Sequence, residues 1–341
     1  MTALSRRSFI FMTLALAACK RGAADLLLSG QTMGTTYTIV AVEPRGGLNK
    51  DALKTAIDAA LQDVDKKMSN WNPTSEISRI NALKADTPFF LSADMLELLQ
   101  TAQDVHDTSD KQFDLTLGPL IDLWGFGTQK PTGRIPDSAA VAKAMQFVGQ
   151  SEALTLDGNT LSKSHDGTQM YLSAIGKGFG VDRLGDTVRS FGVTDFMVEI
   201  GGDIITSGKN AEGLPWQIAI ETPDARQRSF LKVLGVSDLG MATSGDYRNY
   251  FEHDGTRYSH ILSATTGRPL THATASVSVL TQNAMLADAW ATALLVVGRE
   301  RGMEIAERQN LAALFIDREI TSGKMRFETY ATDQFASIQP S

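Results

Sequence analysis

The chain is poor in the residues on which much covalent and metal chemistry depends. One cysteine, Cys19, stands in 341 residues, which excludes an internal disulfide framework and any cysteine-built zinc site. Net positive charge is also missing. The formal charge is −7 and the pI near 5.3, so no basic face is available for nucleic acid, although a local basic pocket for phosphates remains open. The apolar run near the start, Phe9 to Ala18, is too short to span a bilayer. There is no internal repeat and no low-complexity block. With 43% apolar and 21% charged residues, what remains is an ordinary globular body of one large domain or two lobes.

The first residues read as an export signal. Arg6 and Arg7 precede the apolar run, and Leu16-Ala17-Ala18-Cys19 ends it with small residues before the cysteine, a pattern that resembles the lipobox of bacterial lipoproteins. Ser5 to Ile10 also resembles a twin-arginine signal; general secretion is the alternative. The expected division is a signal peptide over 1–18, a tether over 19–30 with Cys19 lipidated, and a body over 31–335. The expected location is the bacterial cell envelope, lipid-anchored to the inner membrane on the periplasmic side.

One stretch of the body stands out. Asn283 to Gly298 reads as a buried helix with Asn283 as its N-cap and Gly298 as its stop. Asp288 and Thr292 lie four apart on one face of it. A carboxylate among Met, Leu, Trp and Val is either satisfied by backbone amides or shared with a hard cation, and oxygen donors favour Mg²⁺ over Zn²⁺. Upstream, residues 31–42 read as a strand, Lys50 to Met68 as an amphipathic helix, and Phe113 to Gly127 as buried irregular chain of the kind that lines a pocket. Gly176, Gly178 and Gly180 precede a helix expected over 181–191, an arrangement that suits either an anion or tight packing. The pattern as a whole predicts an α+β fold with mixed or antiparallel sheets. His260 follows a hairpin; the histidines at 106, 165, 253 and 272 read as solvated.

Several stretches together resemble the ApbE family of FAD:protein FMN transferases. They are Met33 to Tyr37, Ser69 to Asn81, Phe113-Asp114 with Gly118 to Leu120 and Trp124 to Gly127, Gly176 to Gly178 with Val181-Asp182, Gly201 to Asp203, Thr243 to Tyr247, Ser259 to Ile261 with Thr266 to Pro269, and Ala287 to Ala293. The resemblance implies a T-fold-like body, two lobes around a central FAD cleft. It implies Mg²⁺-dependent transfer of FMN from FAD to a Ser or Thr hydroxyl of a partner redox protein, with AMP released. It assigns Asp288, Thr292 and the Ala174 carbonyl to Mg²⁺. It assigns Met33, Trp71, Gln112, Phe113, Asp114, Tyr171, Lys177, His260 and Ile261 to FAD, with His260 and Asp288 as the catalytic pair. Tyr171 replaces a family carboxylate, and Leu262-Ser263-Ala264 replaces the family's Ile-Asp-Pro. The first change removes a cofactor contact and the second is expected to loosen the loop at His260. Alternatives are hydrolysis of FAD to FMN and AMP, and a flavin-binding lipoprotein without catalysis.

Overall fold

The computed structural model of the chain describes residues 25–44, 46–127, 134–224, 229–321 and 324–338. The signal segment and Cys19 lie outside the described residues. Strands β1 (Asp25–Thr32) and β2 (Thr35–Val42) form a hairpin turned at Met33 and Gly34, both with positive φ (48° and 73°). Two left-handed turn residues match the right-handed twist of the flanking strands. The single strand expected over 31–42 is therefore the second arm of a hairpin. Residues 25–30, expected in the tether, belong to an edge strand.

Helix α1 (Lys50–Met68) is capped by Asn49 and buries Leu53, Ile57, Leu61, Val64 and Met68 on one face. The short helix α2 (Glu76–Asn81) is capped by Ser75; β3 (Phe89–Phe90) and α3 (Ala93–Thr108), capped by Ser92, come after it. The apolar run after Phe113 contains α4 (Gly118–Leu123). Next come α5 (Ser138–Met145), capped by Asp137, α6 (Gln150–Ala153), and the hairpin of β4 (Leu154–Asp157) and β5 (Thr160–Lys163). Helix α7 (Gly176–Ser190) begins at Gly176, so the clustered glycines are its first turns and not a loop before it.

Strands β6 (Phe196–Ile200) and β7 (Asp203–Ser207) turn at Gly201 and Gly202. A separate hairpin, β8 (Trp216–Glu221) with β9 (Phe230–Val236), precedes β10 (Gly240–Gly245). The hairpin of β11 (Tyr250–His253) and β12 (Thr256–Ser259) leads to β13 (Thr274–Thr281). Helix α8 (Ala284–Val297) matches its expected bounds, and α9 (Arg299–Arg308), β14 (Ala312–Thr321), β15 (Lys324–Ala331) and α10 (Asp333–Ala336) close the chain.

Eight strands form one antiparallel sheet in the order β1-β2-β6-β7-β10-β13-β14-β15. All eight residues of β13 are buried, because each face of the sheet is covered. One face packs against α3, α8 and α9; the other packs against the β8–β9 hairpin and Phe335 of α10. Strands β7 and β10 are paired at two positions, Ile204–Met241 and Ile205–Gly240. Beyond them the strands part, and Asp203 and Thr243 stand at the opening.

Candidate functional site

Helices α7 and α8 build the floor of the site by exchanging caps. Asp182 of α7 accepts the backbone N–H groups of Ala284 and Met285 at 2.8 Å each, at the start of α8. In return Asp288 of α8 accepts the Gly178 N–H at 3.0 Å, in the first turn of α7. Each carboxylate meets orphan N–H groups and the positive end of the partner helix. The approach depends on Gly178: a Cβ there would lie 2.3 Å from the Ala284 carbonyl oxygen.

This contact leaves Asp288 with one amide donor for two buried oxygens. Its other oxygen is 4.0 Å from the Lys177 ammonium, which itself contacts Asp203. Asp203 also accepts the Thr243 N–H, bridging the parted strands. Burial pushes the Asp288 carboxyl up to about 7, against the pull of Lys177 and with a push from Asp203. Burial also raises Asp203. Direct contact with Lys177 opposes that rise at Asp203. For Lys177, burial opposes the charge, but the two carboxylates outweigh it and raise its pKa. Thr292, one turn along α8, bonds Ser244 through their hydroxyls at 2.9 Å.

Of these groups Lys177, Ser244, Asp288 and Thr292 face a cleft of about 340 Å³. Gln112, Phe113, Asp114, Tyr171, Ala174, Lys177, His260, Ile261, Asp288 and Thr292 all line it, brought together from every part of the fold. Met33 and Trp71 are not among its lining residues. Met33 sits on the β1–β2 turn, 39% exposed, beside Gly180 of α7. Trp71 is 61% exposed and meets Tyr171 edge-on at 6.1 Å. Asp114 spends its carboxylate internally, on Thr116 and on the Gln150 N–H at 3.0 Å, so its side chain holds the wall together.

His260 faces the floor from the β11–β12 hairpin. The Asn249 carbonyl accepts its backbone N–H at 3.0 Å and sits 3.1 Å from its Nδ1. A carbonyl partner requires the proton on Nδ1, which leaves Nε2 as an acceptor. Burial lowers the ring's pKa, and the nearby Lys177 charge lowers it further; the Asn249 carbonyl and Asp246 work the other way. The neutral ring is thus the resting state at pH 7. A stack of aromatic rings seats the hairpin: Trp124 on Tyr258 at 5.8 Å, Tyr258 on Phe251 at 5.2 Å, and Phe251 on Phe126 at 5.7 Å. Phe126 then meets the His260 ring edge-on at 6.3 Å.

The ApbE family profile matches residues 33–315. A Vibrio cholerae protein named FAD:protein FMN transferase is 42% identical over 94% of this chain and 95% of its own length. A Haemophilus influenzae protein of the same name is 41% identical over 91% of each. The solved flavin transferase ApbE from Vibrio cholerae superposes with a TM-score of 0.85 at 39% identity, over 93% of this chain and all of that one.

The chain belongs to the ApbE family.

Within this ApbE fold the two segments expected to depart from the family pattern are both tied down. The Tyr171 hydroxyl donates to Asp122 at 3.0 Å. Ser263 accepts the N–H groups of Thr265 and Thr266 at 3.2 Å each, and its own N–H meets the Arg268 carbonyl at 3.0 Å. The loop at His260 is therefore braced, not loosened as the sequence alone predicts. Two histidines also differ from expectation. His106 is buried, its ring bonded to the Phe113 carbonyl at 2.6 Å and to Ser151 at 2.8 Å, and His272 has both ring nitrogens enclosed. Sequence reasoning missed the roles of Asp203 and Asn249. Asp203 carried a signal, an acid directly after Gly201 and Gly202; Asn249 acts through its backbone and carried none.

Proposed function

We propose that this chain is an enzyme that moves FMN from FAD to a Ser or Thr hydroxyl of an acceptor protein and releases AMP. The carrying observation is that His260, its Nδ1 held by the Asn249 carbonyl, lines one cleft with a buried carboxylate, Asp288, that has one amide donor for two oxygens. The donor set suits a hard cation: Asp288 has one oxygen without an amide donor, and the Thr292 hydroxyl lies a turn away. Asp288, Thr292 and the Ala174 carbonyl would hold Mg²⁺. When bound, that ion neutralises charge on the diphosphate of FAD. Among the described residues no cluster of three or more His, Cys, Asp or Glu offers a different metal centre.

The chain's own groups do the rest. Lys177 presents positive charge to the diphosphate. His260 Nε2 takes the proton of the acceptor hydroxyl. The hydroxyl oxygen then bonds to the phosphorus of the FMN half, and the bond from that phosphorus to the AMP oxygen breaks. AMP leaves, and the proton on His260 passes to solvent. Attack by water in place of the hydroxyl would give FMN and AMP. The segment 1–19 supports an exported, lipid-anchored enzyme at the periplasmic side of the inner membrane, acting on a membrane or periplasmic redox protein.

The test incubates purified protein with FAD, Mg²⁺ and an exported redox protein bearing exposed threonines, and weighs the products. Transfer adds one FMN to the acceptor for each AMP. AMP without labelled acceptor selects hydrolysis. FAD retained with no AMP selects a binding protein.

A further inference from the structure

Residues 170–172 enter the cleft wall outside any strand, just after the Leu117–Gln169 bridge, and are held by the backbone on one side. The Tyr171 N–H meets the Leu115 carbonyl at 2.8 Å. On the other side two side-chain amides hold the segment. Asn81 donates to the Met170 carbonyl at 2.9 Å and accepts the Met170 N–H at 2.8 Å. Asn70 donates to the same carbonyl at 2.8 Å and accepts the Leu172 N–H at 3.0 Å. Each amide thus gives and receives one bond, as a strand backbone would. Both asparagines are half-buried, where an unmet Met170 or Leu172 group would be costly.

This segment runs directly into the cleft. Tyr171 and Ala174 line it, and α7 starts at Gly176. Asn70 also adjoins Trp71, whose ring meets Tyr171 edge-on. We propose that Asn70 and Asn81 are positioning residues: by bonding the backbone of Met170 and Leu172 they fix Tyr171 and Ala174 in the cleft and tie the Trp71 turn to them. The proposal rests on the cleft being the FAD site.

The test measures FAD affinity by flavin fluorescence, and AMP release, for Asn70→Ala, Asn70→Asp, Asn81→Ala and Asn81→Asp. Aspartate keeps the shape and the acceptor but loses the donor to the Met170 carbonyl. The expected result is FAD binding weaker by roughly tenfold in both N70A and N70D, as for loss of a buried hydrogen-bond pair, with kcat at saturating FAD within about threefold of wild type. Protonation restores the donor, so N70D should regain affinity as pH falls toward 5. A space-filling role would leave N70D and N81D like wild type at every pH, and that result overturns the proposal. So does a loss confined to kcat. Should an alanine variant not fold, the isosteric aspartates decide. A wild type that binds no FAD sinks the FAD reading as well, and wild-type binding separates the two failures.

Discussion

The floor and the mouth of the cleft are built on different principles. The floor is charge enclosed by close-packed helices: Asp182, Asp288, Asp203 and Lys177, held where α7 meets α8. The mouth is rings on turns: Trp71, Tyr171, and the aromatic stack behind His260. A buried carboxylate tolerates little displacement, because an unpaired charge in a dry site is destabilising by several kcal/mol. Stacked rings tolerate exchange of one ring for another.

The largest effect that separates floor from mouth is Asp288→Ala. Transfer should fall by about 10³-fold or more, as for removal of a central electrostatic group, in a mass-resolved assay of labelled acceptor. Asp288 also has a stability signature. Its carboxyl rises from 3.8 to about 7 on folding, so between those values the native state binds more protons than the unfolded state. Stability contributed by this group is present below pH 4 and lost as pH rises toward 7. Thermal melts of metal-free protein should show that decline, and Asp288→Asn should flatten it.

Next is His260→Ala, which should cost transfer roughly 10² to 10⁴-fold while leaving FAD affinity near wild type. Loss of FAD binding instead would make His260 a ligand of the cofactor and not a base. Because its pKa is held below the ordinary value, wild-type activity should persist as pH falls to 6.5 and decline only below that. Gly178→Ala probes the floor's packing. A methyl group 2.3 Å from a carbonyl forces α7 and α8 apart, a change worth about 1–3 kcal/mol in denaturant unfolding. The smallest effect belongs to the mouth. Phe126→Leu should lower kcat about two- to fivefold with FAD binding unchanged, because it removes the edge contact that steadies His260 and the stack on Phe251 but no group at the floor.

The same division explains what the sequence discloses. Asp288 is visible because an acid in the apolar run from Asn283 to Gly298 is out of place, and the bounds of that helix are set by its caps. Asp182 and Asn70 fall in stretches that carry the resemblance, but their contacts are not visible: their partners lie 102 residues away, at Ala284 and Leu172, and spacing along the chain carries no trace of them. Strand β9 escapes notice because Phe230, Leu231 and Val233 face outward, which hides the usual alternation. The β1–β2 hairpin escapes because Met33 occupies a left-handed turn position that asparagine or glycine normally marks. The early start of α7 escapes because glycine is a poor helix former, yet Gly178 is there to admit α8.

The central claim is that the Asp288 carboxylate gives up its proton to a divalent cation. Calorimetric titration of Mg²⁺ into the FAD-bound protein at pH 6.5, repeated in buffers of different ionisation enthalpy, counts the protons released. The account predicts release of most of one proton in wild type and neither release nor tight Mg²⁺ binding in Asp288→Asn. Equal Mg²⁺ affinity in the two proteins, with no proton released by either, would contradict it.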